Sequence, residues 1–192
     1  MQIWNDSFMP RLRPHRPVRV GIAGGLASGK STVLAEFKKA GWATLSADEV
    51  VHRLYKKKDL KLSELRKAAQ KSERAIRALE RLIHPLVGKE IRKFLKERKK
   101  PCCVEIPLLF EGGWEKAFDK TIFVYCPTLF RKQRALRRGM SEKLFTKLDN
   151  RQMKSSEKAR RSDFVLQNRE QKKLLRLQAK HLTKLLLEMA KA

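Results

Sequence analysis

The stretch Val18 to Thr32, VRVGIAGGLASGKST, decides how this chain folds. VRVGIA (18–23) is a short run of strand formers, and GGLASGKST follows it at once. VLAEFKKAG (33–41) then shows apolar spacing that predicts a helix closed by Gly41. Strand, glycine loop and helix in that order are the setting in which G-x-x-x-x-G-K-[ST] has a mechanism, and Gly24 to Ser31 match it at every fixed position. Glycines let backbone N–H groups wrap anionic phosphates while the helix presents its positive end. Lys30 is then expected to reach the β and γ oxygens and Ser31 to ligate Mg²⁺. Gly25, Leu26, Ala27, Ser28, Gly29, Lys30, Ser31 and Thr32 are the candidate ATP contacts.

Downstream, WATLSA (42–47) reads as a second strand ending at Asp48. A long basic helical region follows from about Glu49 to Glu97, with an apolar face at Ile76, Leu79, Ile83, Leu86, Ile91 and Phe94. Pro85 predicts a break there, one helix ending near His84 and another starting with proline in its first turn. CCVEIPLLF (102–110) and TIFVYC (121–126) read as buried parallel strands. Residues 128–151 suggest two short helices hinged at Gly139, Met140 and Ser141, and 163–167 a last strand. Leu174, Leu177, Leu182, Leu185, Leu186 and Met189 mark a closing amphipathic helix. Strands alternating with helices predict an open, mostly parallel α/β sheet of the P-loop NTPase type, flanked by helices. Residues 1–17, with three prolines and no periodicity, read as an arm before one domain spanning 18–192.

The chain has 192 residues and 42% apolar composition, enough for one core and against wholesale disorder. No apolar run approaches the roughly 18–20 residues that span a bilayer, and the opening lacks a secretory segment, so a cytoplasmic protein is expected. Cys102, Cys103 and Cys126 lie in apolar stretches without metal-ligand spacing and read as buried reduced thiols. The formal charge is +26, which by itself suits either a nucleotide enzyme or an RNA binder. Its distribution is informative: residues 1–50, 51–100, 101–150 and 151–192 carry +3, +12, +3 and +8. The excess avoids the phosphate-loop quarter.

A phosphate loop establishes nucleotide binding but not the acceptor. Asp48, at the end of the strand after the loop, is placed to take or orient an attacking hydroxyl, or else to cap a helix starting at Glu49. The loop, Ser46-Ala47-Asp48, His84-Pro85-Leu86, Pro107 to Glu111 (PLLFE) and the Arg151-Gln152-Met153 segment stand in a telling order. From about Val18 to Asn168 the chain resembles the dephospho-coenzyme A kinases.

That resemblance implies ATP-dependent phosphorylation of the ribose 3′-hydroxyl of dephospho-CoA, the last step of coenzyme A synthesis. It implies a core (18–48 and 101–127), a helical substrate region (49–100), a lid (about 128–155) and a closing strand and helix (156–192). Asp48 then corresponds to the carboxylate at the acceptor hydroxyl, and His84 to a position that contacts substrate or braces a turn. Glu105 stands where many phosphate-loop enzymes keep a carboxylate near Mg²⁺, joining Ser31 as a candidate metal residue. Glu111 is a candidate for organising substrate, or a carboxylate at a helix start. Residues 131–161 hold 12 Lys and Arg against 3 Asp and Glu, and Arg134 and Arg138 match lid arginines that offset charge on the transferring phosphoryl. Arg151 joins them as a substrate-side candidate.

Three departures from the family pattern stand out. Ser46 replaces a usual aspartate, Gln167-Asn168-Arg169 replaces a usual Asn-Asn-Gly turn near adenine, and Tyr55 to Arg74 is lysine-rich and short. Two other readings remain at this point: a different small-molecule or nucleoside kinase on the same core, and an RNA- or ribosome-associated protein using the loop as a switch.

Overall fold

The computed structural model describes residues 17–56, 73–169 and 171–190. The arm expected over 1–17 lies outside them apart from Pro17, as do most of the lysine-rich stretch and the side chain of Ile76. In chain order the elements are β1 (Arg19–Gly24), α1 (Lys30–Lys39), β2 (Ala43–Ser46), α2 (Ala47–Lys56), α3 (Glu73–Glu97) and β3 (Cys102–Glu105). A 3₁₀ turn (Trp114–Ala117), β4 (Lys120–Tyr125), α4 (Thr128–Leu136), α5 (Glu142–Asn150), α6 (Ser155–Arg161), β5 (Phe164–Gln167) and α7 (Lys172–Met189) complete them.

The five strands form one parallel sheet in the order β2-β3-β1-β4-β5. The chain leaves β1 toward one edge, returns to insert β3, and then crosses to β4, so the carboxyl ends of β1, β3 and β4 open on one crevice. Apolar side chains fill both faces. Val20, Ile22, Val33, Phe37, Leu175 and Leu186 bury one layer with α1 and α7. Val50, Ile83, Ile91, Leu109 and Phe110 bury the other with α2, α3 and the turns after β3. Cys102, Cys103 and Cys126 are buried thiols in no disulfide, as expected.

The structure corrects several boundaries. Pro85 lies inside one continuous helix of 25 residues rather than between two. Its missing donor leaves the Arg81 carbonyl without its helical partner, but Arg81, Leu82, His84 and Pro85 are exposed, so water can satisfy that group. Leu79, Ile83, Val87, Ile91 and Leu95 meanwhile bury the opposite face and hold the helix together. That face has turned slightly from the expected one, since Leu86 is exposed while Val87 and Leu95 take core positions. The same applies to α7, where Leu175 and Ala179 are buried and Leu174 and Leu177 face solvent.

The third strand stops at Glu105 instead of reaching Phe110. Ile106 makes a last bond to the Ile22 carbonyl (2.9 Å), and Pro107 has no N–H with which to continue the ladder. Strand β2 ends at Ser46, paired with Glu105, and α2 begins at Ala47, so Asp48 lies in its first helical turn and is no cap for a helix starting at Glu49. Helix α6 was not foreseen. The hinge at 139–141 separates α4 from α5 as expected, with Gly139 at φ +83° and the Ser141 hydroxyl accepting from Leu144 N (3.3 Å).

Candidate nucleotide and acceptor site

Residues 24–29 turn from the end of β1 into α1, whose first turn has no acidic residue and whose N-cap has no capping side chain. The positive end of the helix is thus left open to an anion. Gly29 has φ +104°, where a side chain would be strained, and a Cβ there would fall 2.4 Å from Asn168 Nδ2. A Cβ on Gly25 would fall 2.7 Å from Arg131 Nη1. The glycines are therefore needed for both curvature and close approach. Lys30 is buried and donates to the Gly25 carbonyl (3.1 Å). Burial lowers its proton affinity, opposed by the neighbouring carboxylates Glu105 and Asp48, with the cations Lys158 and Arg131 lowering it further.

Two buried residues take structural roles beside this loop that the sequence did not assign them. Arg131, 4% exposed, donates from Nε to the Cys126 carbonyl (3.0 Å), from Nη2 to Thr128 Oγ1 (2.9 Å), and from both terminal nitrogens to Asp149 in α5. Asn168 is also buried; its amide donates to the Ser28 carbonyl (2.6 Å) and its backbone N–H to the Tyr125 carbonyl (2.8 Å). Neither role has a local signature. The only hint for Arg131 is its place one turn before Arg134 on the same helix.

Arg134 is held at the carboxyl ends of β4 and β5. Its guanidinium contacts Cys126 Sγ (3.4 Å), Asn168 Oδ1 (3.3 Å) and the Arg169 carbonyl (3.3 Å). Arg138 is exposed just past the end of α4, and Arg151 is exposed at the C-terminal cap of α5. Arg134 is thereby fastened to the phosphate-loop region through Asn168, whose amide donates to the Ser28 carbonyl.

Asp48 is exposed in α2 and Glu105 is buried at the end of β3, and both carboxylates act on Lys30. Burial pushes the Glu105 carboxyl up to about 6, with Asp48 and Glu49 adding to the rise and Lys30 and a hydrogen bond with Ser46 opposing it. A cleft of about 590 Å³ opens beside Asp48, lined by Thr44, Leu45, Asp48, Glu49, His52 and Arg53. His84 is exposed on α3, which packs against α2. Glu111 is engaged elsewhere: it accepts from Met153 N (2.9 Å) and lies 2.8 Å from Lys158 Nζ. Lys30, Asp48 and Glu105 thus meet at one crevice, Ser31 is exposed in the first turn of α1, and Glu111 faces the start of α6.

Comparison with known proteins identifies the family. The dephospho-CoA kinase family model matches residues 18–73 and 59–173. A dephospho-CoA kinase of Bartonella quintana (strain Toulouse) is 35% identical over 169 residues, covering 77% of this chain and 87% of its own length. Among solved structures, TT1252 from Thermus thermophilus superposes with a TM-score of 0.72 at 31% identity, over 90% of this chain and 98% of that one. Dephospho-CoA kinase from Campylobacter jejuni shares the fold, with a TM-score of 0.62 at 22% identity over 91% of this chain and 98% of that one. A parallel P-loop core with Lys30, Asp48 and Glu105 at one crevice, matched along most of its length, places this chain in the dephospho-CoA kinase family.

Proposed function

We infer from this family membership and the site that the chain transfers the terminal phosphoryl group of ATP to dephospho-CoA, giving coenzyme A. The observation that carries the reading is the meeting of Lys30, Asp48 and Glu105 where the phosphate loop faces the start of α2. Residues 25–32 hold the triphosphate, and Lys30 leaves the Gly25 carbonyl to pair with phosphate oxygens. Asp48 lies on the exposed side of that meeting point, where it orients the ribose 3′-hydroxyl and receives its proton as the oxygen attacks. His84, on the helix packed against α2, contacts the acceptor from the same side.

The donor set suits Mg²⁺. Ser31 supplies a hydroxyl and Glu105 a carboxylate, and among the described residues no cluster of three or more His, Cys, Asp or Glu forms a protein cage. A small hard cation that keeps several waters and takes phosphate oxygens needs few protein ligands. When bound it neutralises charge developing on the phosphates. Residues 128–155 act as the lid, with Arg138 and Arg151 exposed on it and Arg134 at its base; closure excludes water that would hydrolyse ATP. No described helix is long and apolar enough to cross a membrane, and the buried thiols fit a reducing, cytoplasmic setting.

A coupled assay with ATP, Mg²⁺ and a panel of acceptors tests this. Conversion of dephospho-CoA with little turnover of free nucleosides is expected. Comparable rates on nucleosides and none on dephospho-CoA would overturn it.

A further inference from the structure

Glu111 ends the turn after β3, and both groups that engage its Oε1 belong to the segment that leaves the lid. Met153 N donates to it (2.9 Å), and Lys158 Nζ lies 2.8 Å away. Lys158 is 1% exposed, and its ammonium has no aligned hydrogen bond among the described residues. Glu111 therefore supplies its countercharge. A second pair runs alongside, since Arg161, nearly one turn later in α6, meets Glu115, and its guanidinium lies 5.3 Å from the centre of the Phe110 ring. The residues after β3 and the helix after the lid are clipped together by two ion pairs. The Lys158 charge also reaches the phosphate loop, where it disfavours the protonated form of Lys30.

We propose that Glu111 and Lys158 are a positioning pair for phosphoryl transfer rather than acceptor contacts. Glu111 fixes Met153, the outgoing end of the lid, and neutralises a buried cation beside the ATP lysine. Lys158 keeps Glu111 turned toward α6. The inference rests on the kinase reading for its kinetic arm. A buried ammonium stripped of its carboxylate must be moved or hydrated, and either response displaces Met153 and with it the lid. Displacements near 1 Å at a remote support can cost on the order of 10²-fold in turnover.

The test is a double-mutant cycle of E111Q, K158M and the double variant, read by steady-state kinetics and by thermal unfolding without substrate. E111Q should lower kcat about tenfold or more while the KM for dephospho-CoA stays within about threefold, because it acts on geometry reached only on closure. The double variant should lose no more than E111Q does, since the stranded charge is gone, and should melt at a higher temperature than E111Q. A KM raised more than about tenfold by E111Q, in the presence or absence of Lys158, would make Glu111 an acceptor contact and overturn the proposal. So would losses and melting shifts that simply combine from the two single variants. If E111Q does not fold, comparing the double variant with K158M still reads the effect of Glu111 on KM. A wild-type chain inactive on dephospho-CoA would break the functional reading, while the melting cycle would still report on the pair.

Discussion

The phosphate end and the acceptor end of this crevice are built in opposite ways. At the phosphate end, Lys30, Arg131 and Asn168 are buried, and their polar atoms are committed to backbone carbonyls, Thr128, Arg134 or Asp149. At the acceptor end, Asp48, Glu49, His52, Arg53 and His84 are exposed around an open cleft or on the helix beside it. In the proposed reading the phosphate cradle is preorganised and costs little to use, whereas the acceptor side offers exposed groups to its ligand. The charge follows the same division. The phosphate-loop quarter is near balance and its braces are paired, while residues 51–100 carry +12, and the basic side chains described there, among them Arg53, Lys89, Arg92 and Lys96, are exposed.

The sharpest way to break this contrast is Asp48→Asn. Turnover should fall by about 10² to 10⁴-fold, because the acceptor loses its proton receiver. ATP affinity, measured by titration with a fluorescent analogue, should hold because the phosphate cradle is intact. Full turnover in the variant would remove Asp48 from the chemistry. Next in size is Arg131→Met, which leaves Asp149 without its partner and unties α5 from the Cys126 carbonyl. Denaturant unfolding should show a loss of about 3–5 kcal/mol. A loss near zero would mean that the phosphate end is not held by this pair.

The smallest effect concerns Glu105, which sits between the two ends. Its carboxyl is raised from an ordinary 4.5 to about 6 in the folded chain, so the native state keeps a proton that the unfolded chain has released. Stability should therefore be greatest below pH 4.5 as far as this group is concerned, and fall by about 2 kcal/mol as pH rises through 6. Glu105→Gln should flatten that slope in urea titrations and unfold later than the parent above pH 6, while turnover drops. An unchanged slope would show that another group carries it.

Much of this was legible in advance where the cause is local. The strand, glycine loop and helix from Val18 to Lys39 appear as read, because the loop needs residues with φ > 0 and open N–H groups at fixed spacing. The parallel sheet also appears as read, since short apolar runs alternating with helical periods admit few other arrangements. Pro85 misled because propensity describes an isolated helix, whereas five buried side chains on the far face of α3 outweigh one lost bond. The buried faces of α3 and α7 also differed, because leucines at neighbouring helical positions look alike until a partner surface selects among them.

What the sequence alone determined was the nucleotide cradle, the order of the sheet-forming segments and, through resemblance, the acceptor class. What only the tertiary structure decided was which polar and charged groups work together. Arg131 finds Asp149 across 18 residues, Glu111 finds Met153 across 42, and Asn168 finds Ser28 across 140. A phosphate loop is encoded by backbone conformations of consecutive residues, so it can be read along the chain. A buried ion pair depends on where two distant segments are packed, and in a sequence with 46 basic residues the packing selects which of them matter.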